Sequence, residues 1–415
     1  MVQPLLAGIV AALTGFSSSF AIVLAGVVAV GATDRQAASG LLAVCVLQGL
    51  LCILLSLRYR VPLTFAWSTP GAALLAATAS SPGGFDRAVG AFLVASLLLV
   101  ITGLWPALGR LVSRIPRPLA NGMLAGILFP LVLAPVRAAV EIPALALPVI
   151  LLWLLLVRLL PRWAVPAAIA LAIALLLATD GAALAVAPLL PTPEFVAPVF
   201  EIGAVVGIGL PLYVVTMAGQ NIPGIAVLSS FGFPSHSRPA IVSSGALSGV
   251  AALFGGVPIN LAALSAALTA GPEASPRPER RWIASVSAGA SYLVLGLVAG
   301  AAAALVSSAS PLLIEAVAGL ALLGVFVSAV QAVVEESRLR LPAAATLLVT
   351  ASGTSVAGIG SAFWGLVVGL VVLVWLVPRR AVPPADAVAG SQARGSSPRR
   401  RSSGSVRASR PRKTR

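Results

Sequence analysis

Apolar runs recur along the chain from residue 5 to residue 377, separated by short breaks that carry Arg, Pro and Gly. A hydrocarbon core is roughly 30 Å thick and takes about 20 helical residues to cross, and the pattern predicts about fourteen spans, some of them short. The first run, Pro4 to Val30, lacks the basic start and small-residue cleavage site of a removable signal, so it is expected to be a retained span. The pattern therefore predicts an all-α polytopic membrane protein.

The helical pattern breaks at two matching places. Each half reads as a long first span, a second span, then a short Val-Pro segment opening onto small residues. Arg60-Val-Pro-Leu-Thr-Phe-Ala-Trp-Ser-Thr-Pro-Gly71 in the first half faces Gly256-Val-Pro-Ile-Asn-Leu-Ala-Ala-Leu-Ser265 in the second. An odd number of spans per half makes the second repeat enter the membrane from the opposite side, so the repeats are expected to be inverted, seven plus seven, with broken segments third and tenth. The organisation expected is 1–182 for the first repeat, 183–194 for a periplasmic linker, 195–378 for the second repeat and 379–415 for a disordered basic cytoplasmic tail.

Composition supports a lipid environment: 59% of residues are hydrophobic, 9% are charged and the mean hydropathy is +1.04, a balance no soluble domain needs to cover its surface. The net charge of +15 is not a nucleic-acid signal once it is divided along the chain. Eleven of the 27 basic residues lie from Arg379 onward beside one acid, Asp386, so the tail holds +10 and the rest +5. That tail reads as an anchor on anionic lipid and a topology signal. Of the remaining arginines, thirteen fall in breaks on the side of the N-terminus and three, Arg35, Arg87 and Arg137, on the other. By the positive-inside rule both termini are expected on the cytoplasmic side of the membrane.

Chemistry is concentrated in three polar islands. Val61 to Trp67 is largely β-branched or aromatic and reads as an extended piece, with Ser68 or Thr69 capping a helix that has Pro70 in its first turn. Its counterpart has Asn260 as the expected cap of the run Leu261 to Ala270. Extended backbone at membrane depth survives only inside protein or beside a polar cavity. Two half-helix N-termini meeting there would offer free N–H groups and positive dipole ends to an anion such as a carboxylate. Kinked helices that merely pack are the alternative. The second island, Thr216-Met-Ala-Gly-Gln-Asn-Ile-Pro-Gly224, places Gln220 and Asn221 in a span, where they must face partners or a substrate; interhelical glue is the other reading. The third, Gly15-Phe-Ser-Ser-Ser-Phe20, offers Ser18 and, one turn apart, the rings of Phe16 and Phe20, which suit either core packing or stacking on an aromatic ligand.

Other classes lack their residues. One histidine, His236, and scattered acids form no metal-ligand spacing, so neither a metal nor another cofactor is expected. An enzyme would need a nucleophile and base, and a channel would favour rings of like charge or a carbonyl-lined filter; broken helices in matched halves favour a carrier. Cys45 and Cys52 are too distant for a disulfide and read as packing residues. Glu201 and Glu315, a turn or two inside their spans, are candidate proton-coupling sites, with solvated or paired rim carboxylates as the alternative. His236 reads as a solvated loop residue.

Phe65-Ala-Trp-Ser-Thr-Pro-Gly-Ala-Ala-Leu74, Val215-Thr-Met-Ala-Gly-Gln-Asn-Ile-Pro-Gly224 and Ile259-Asn-Leu-Ala-Ala-Leu-Ser-Ala-Ala-Leu268, followed by Ala270-Gly-Pro-Glu-Ala274, together resemble the bacterial benzoate/proton symporter family. The likeness runs from the first span to about residue 377. It implies uptake of benzoate or a similar small aromatic carboxylate across the bacterial inner membrane with a proton, and a fold of core and gate domains shared with nucleobase/ascorbate transporters, for which gate-domain homodimers are common. It places Ser68, Thr69, Gln220, Asn221 and Asn260 where that fold binds its substrate. Another small anion or a nucleobase-like ring is the alternative cargo.

Overall fold

A computed structural model describes residues 2–78, 84–105, 107–108, 110, 115–184, 190–234, 236–308, 310–356 and 359–376. The expected tail and residues 185–189 of the expected linker lie outside the described residues. Helices α1 (Val2–Ala29) and α2 (Asp34–Tyr59) lead to strand β1 (Phe65–Trp67) and the short helix α3 (Thr69–Ala76). Helices α4 (Phe85–Leu104), α5 (Arg117–Glu141), α6 (Pro143–Leu159) and α7 (Ala164–Leu184) complete the first half.

The same order then recurs. A continuous α8 (Ile202–Ser230) and α9 (Ser237–Ala252) precede strand β2 (Ile259–Leu261) and the short α10 (Ala263–Ala270). After them come α11 (Trp282–Gly296) and α12 (Ala299–Ser308), then α13 (Pro311–Glu335), α14 (Arg340–Ala351) and α15 (Ser361–Leu376). Among the described residues, α1, α2, α4, α5, α8 and α13 are each long and apolar enough to cross a membrane.

The chain leaves α2 where the sequence forces it to. Arg60 ends the helix in the left-handed region at φ 55°, and its N–H still bonds the Ser56 carbonyl at 2.9 Å. The Arg60 guanidinium lies 4.2 Å from the Trp282 ring centroid, a cation–π contact that holds this turn, and Pro62 cannot continue a helix. The extended segment that follows ends in β1, which pairs antiparallel with β2 in the register Phe65 to Leu261, Ala66 to Asn260 and Trp67 to Ile259. Equivalent segments of the two halves thus run in opposite directions, as inversion requires.

Helices gather into two groups. In one, α2 and α1 pack on α11 while α4 packs on α9, with the paired strands and their short helices between them; in the other, α5 packs on α13 and α14, and α14 on α15. Apolar side chains gain nothing by leaving lipid for each other, so close approach relies on small residues. A Cβ on Gly49 would lie 2.8 Å from the Gly289 carbonyl oxygen, and one on Gly289 would lie 2.5 Å from that of Gly49. Replacing Gly289 with Val should push α2 and α11 apart and cost about 1–3 kcal/mol, measured as a lower melting temperature in detergent.

Candidate functional site

Two strands of three residues leave more backbone polar groups than they can pair, and neighbouring side chains take the remainder. On α2, Ser56 Oγ donates to the Leu63 carbonyl at 3.1 Å and Cys52 Sγ accepts the Phe65 N–H at 3.1 Å. On α9, Ser248 Oγ accepts the Ile259 N–H at 2.7 Å. Asn221 Oδ1 accepts the Leu261 N–H at 3.0 Å, and Asn260 Nδ2 donates to the Ala66 carbonyl at 3.0 Å. Thr64 links Thr269 and Ser285 through hydroxyl contacts of 2.7 and 2.6 Å. Cys52 is therefore more than a packing residue.

Beside this crossing lies a cavity of about 140 Å³. Its floor is Gly15, Ser18 and Ser19 of α1, Ala66 and Trp67 of β1, Thr69 and Pro70 of α3, Gln220 of α8, and Ala262, Leu264 and Ser265 around the start of α10. Its facing wall is apolar: Leu128 of α5 and Ala321, Leu322 and Val325 of α13. No lining side chain is ionisable. Gln220 falls in a π-helical turn, Met217–Asn221, one of two in α8, and as neighbours on a helix Gln220 and Asn221 point in different directions. Gln220 faces the cavity, while Asn221 is buried and holds β2.

The two short helices present unlike ends to this space. Ser68 caps α3, accepting the Gly71 N–H at 3.2 Å and, in turn, the Thr216 hydroxyl at 2.9 Å, while Pro70 has no N–H to offer. At α10 the cap position is Ala262, which has no side-chain acceptor, and among the described residues the N–H groups of Ala263, Leu264 and Ser265 meet no protein acceptor. The expectation that Asn260 caps this helix is corrected: it sits in β2, two residues before the cap, because its amide is drawn to the opposite strand.

Of the other expected site residues, Ser18 and Thr69 line the cavity, and Ser68 and Asn260 are buried behind it. Phe16 and Phe20 do not line it: their rings stack on each other with centroids 5.3 Å apart, and Phe16 meets Trp67 edge-on at 5.7 Å. Glu201 is corrected too. It immediately precedes α8 rather than lying inside it, is exposed, and pairs with Arg87 at 2.7 Å. Glu315 is in the second turn of α13, exposed and within electrostatic reach of Arg137, away from the cavity lining. His236 is half-buried, its ring stacked on Tyr59 at 4.3 Å, rather than free in solvent. Sequence reasoning passed over Trp67, whose indole N–H donates to Ser19 Oγ at 2.9 Å, and Ser265. It also passed over Gln48 and Tyr292, both fully buried; among the described residues the Gln48 amide and the Tyr292 hydroxyl have no hydrogen-bond partner.

Crossed broken segments around a small cavity, in a bundle of membrane-crossing helices, define a membrane transporter. The chain belongs to the benzoate membrane transport protein family, whose model matches residues 1–375. It is 38% identical over 375 residues to the inner membrane protein YdcO of Escherichia coli (strain K12), covering 90% of this chain and 95% of that one. It is 31% identical over 383 residues to the benzoate membrane transport protein of Acinetobacter baylyi (strain ATCC 33305 / BD413 / ADP1), covering 91% and 95%. The fold is similar to the transmembrane domain of a cyanobacterial bicarbonate transporter, BicA (TM-score 0.52, 16% identity, 90% of this chain and 98% of that one). It is similar also to SLC26A9 (TM-score 0.59, 12% identity, 90% and 65%).

An orphaned buried N–H costs about 1–3 kcal/mol. Replacing Asn221 with Ala should therefore lower thermal stability by that amount through loss of the Leu261 N–H acceptor. Replacing Gln220 should leave stability nearly unchanged, and melting curves of the two variants distinguish scaffold from lining.

Proposed function

We propose that the chain is a secondary active carrier that brings benzoate or a related aromatic carboxylate into the cell together with a proton by alternating access. The observation that carries this reading is the unequal pair of helix ends on one ring-sized cavity. An apolar cavity of roughly 150 Å³ takes up benzene, so a space of about 140 Å³ suits one six-membered ring. The open N-terminus of α10 supplies unbonded N–H groups and a positive dipole end for the carboxylate, in a lining with no cationic side chain. The ring then lies toward Trp67 and the apolar wall of α5 and α13. A nucleobase-like cargo would ask for acceptors opposite its ring N–H groups, and no carboxylate lines the cavity.

The printed name of the Acinetobacter relative supports the substrate class. In this reading residues 1–182 and 195–378 are the inverted repeats, with both termini cytoplasmic on the strength of the thirteen-to-three arginine bias. Leu322 and Glu315 share α13, seven residues or about 10 Å apart along its axis. Glu315 is thereby the better placed of the two carboxylates to link protonation to movement of the wall, since Glu201 is already paired with Arg87.

Labelled benzoate uptake into proteoliposomes tests this. Accumulation should rise several-fold with an inward proton gradient, and Glu315→Gln should bind benzoate yet lose the gradient's effect. Gradient-insensitive flux would overturn symport, and no flux would overturn the substrate.

A further inference from the structure

The most buried unpartnered hydroxyl of the site belongs to a helix outside the two broken segments. Tyr292 of α11 is among the largest fully buried side chains, and among the described residues its hydroxyl has no hydrogen-bond partner. A phenol O–H sequestered in this way leaves a donor unused, so the position is unfavourable unless something else accepts from it.

Its surroundings say what could. A Cβ placed on Gly15 would lie 2.7 Å from the Tyr292 hydroxyl and 3.6 Å from Ser265 Oγ. Gly15 and Ser265 both line the cavity, so the hydroxyl reaches the lining through the space that a side chain at Gly15 would fill. Ser265 Oγ borders the same space beside Gly15, and among the described residues no hydrogen bond joins it to the hydroxyl. The Tyr292 ring meets the cavity-lining Trp67 ring edge-on at 6.2 Å and 60°. Ser265 is also in the first turn of α10, whose leading N–H groups are unbonded. Two independent features, an uncapped helix end and a buried phenol O–H without an acceptor, thus converge on one corner of the cavity.

We propose that Tyr292 is a binding and specificity-determining residue: its hydroxyl donates, beside the N-terminus of α10, to the carboxylate of the bound aromatic acid. The assignment rests on the substrate class proposed above. It adds a donor that discriminates the anion from neutral rings, because a charge-assisted hydrogen bond is about twice as strong as one to a neutral acceptor. Gly15 acts by absence, since any larger residue would press on the hydroxyl.

The test compares the wild type with Tyr292→Phe and Gly15→Ala as full-length proteins in detergent. Melting is measured without ligand, and benzoate and benzamide binding are measured by calorimetry. Tyr292→Phe should melt at or above the wild-type temperature, since it removes a donor that lacks a partner in the empty site. It should bind benzoate about tenfold to a hundredfold more weakly and change benzamide affinity much less. Gly15→Ala should weaken benzoate binding in the same sense. Unchanged benzoate affinity in Tyr292→Phe would overturn the assignment, and so would a lower melting temperature or failure to fold, because either means that the hydroxyl has a structural partner. A wild type that binds benzamide and not benzoate, or neither, would instead overturn the substrate reading and this inference together.

Discussion

Backbone amides buried among membrane-crossing helices have no water to turn to, and this protein places two extended segments there. Each unbonded N–H or C=O costs energy that packing alone cannot recover. The segments meet the demand mainly through one another: β1 and β2 pair across the halves, with Ser68 N–H bonding the Pro258 carbonyl at 2.8 Å and Ala262 N–H the Thr64 carbonyl at 3.0 Å at the margins. Neighbouring hydroxyl, thiol and amide groups on α2, α8 and α9 close most of what is left. That mutual requirement locks the halves together and fixes where two short helices begin. The cavity is the space beside those beginnings.

From this follows a division of labour that residue type alone does not reveal. Asn221 and Gln220 are adjacent amides in one polar island, yet one bonds a strand and the other faces open space. Ser68 and Ala262 occupy the matching cap positions, yet only Ser68 has a side chain that caps its helix. The departure from symmetry has chemical content, because it leaves one helix end satisfied internally and the other available. The two ends therefore differ in what they offer a ligand even though the two halves share one plan.

Much of the architecture was legible in the sequence because lipid simplifies the code. Long apolar runs, the two Val-Pro interruptions and the polar islands are local signals, and the helices, strands and π-helical turns fall on them. What stayed hidden depends on partners far away in sequence. Trp67 reads as an apolar residue in a strand until its N–H is seen to reach Ser19, 48 positions earlier. Tyr292 lies in an unremarkable apolar run, and nothing in that run signals Gly15. Phe16 and Phe20 had the spacing for ligand stacking, but each ring supplies the other's partner. Glu201 was placed too deep because the boundary of α8 is set by the extended segment before it, whose Val199 N–H bonds the Asp86 carbonyl at 3.0 Å.

The apolar wall formed by Leu128, Ala321, Leu322 and Val325 has a mechanical consequence. The hydrogen bonds that shape the floor all run between α1, α2, α3, α8, α9, α10, α11 and the two strands, and none of them crosses to α5 or α13. Contact across the gap is dispersion, which is shallow and without direction. A displacement of one face over the other would therefore break none of the hydrogen bonds that give the polar surface its shape.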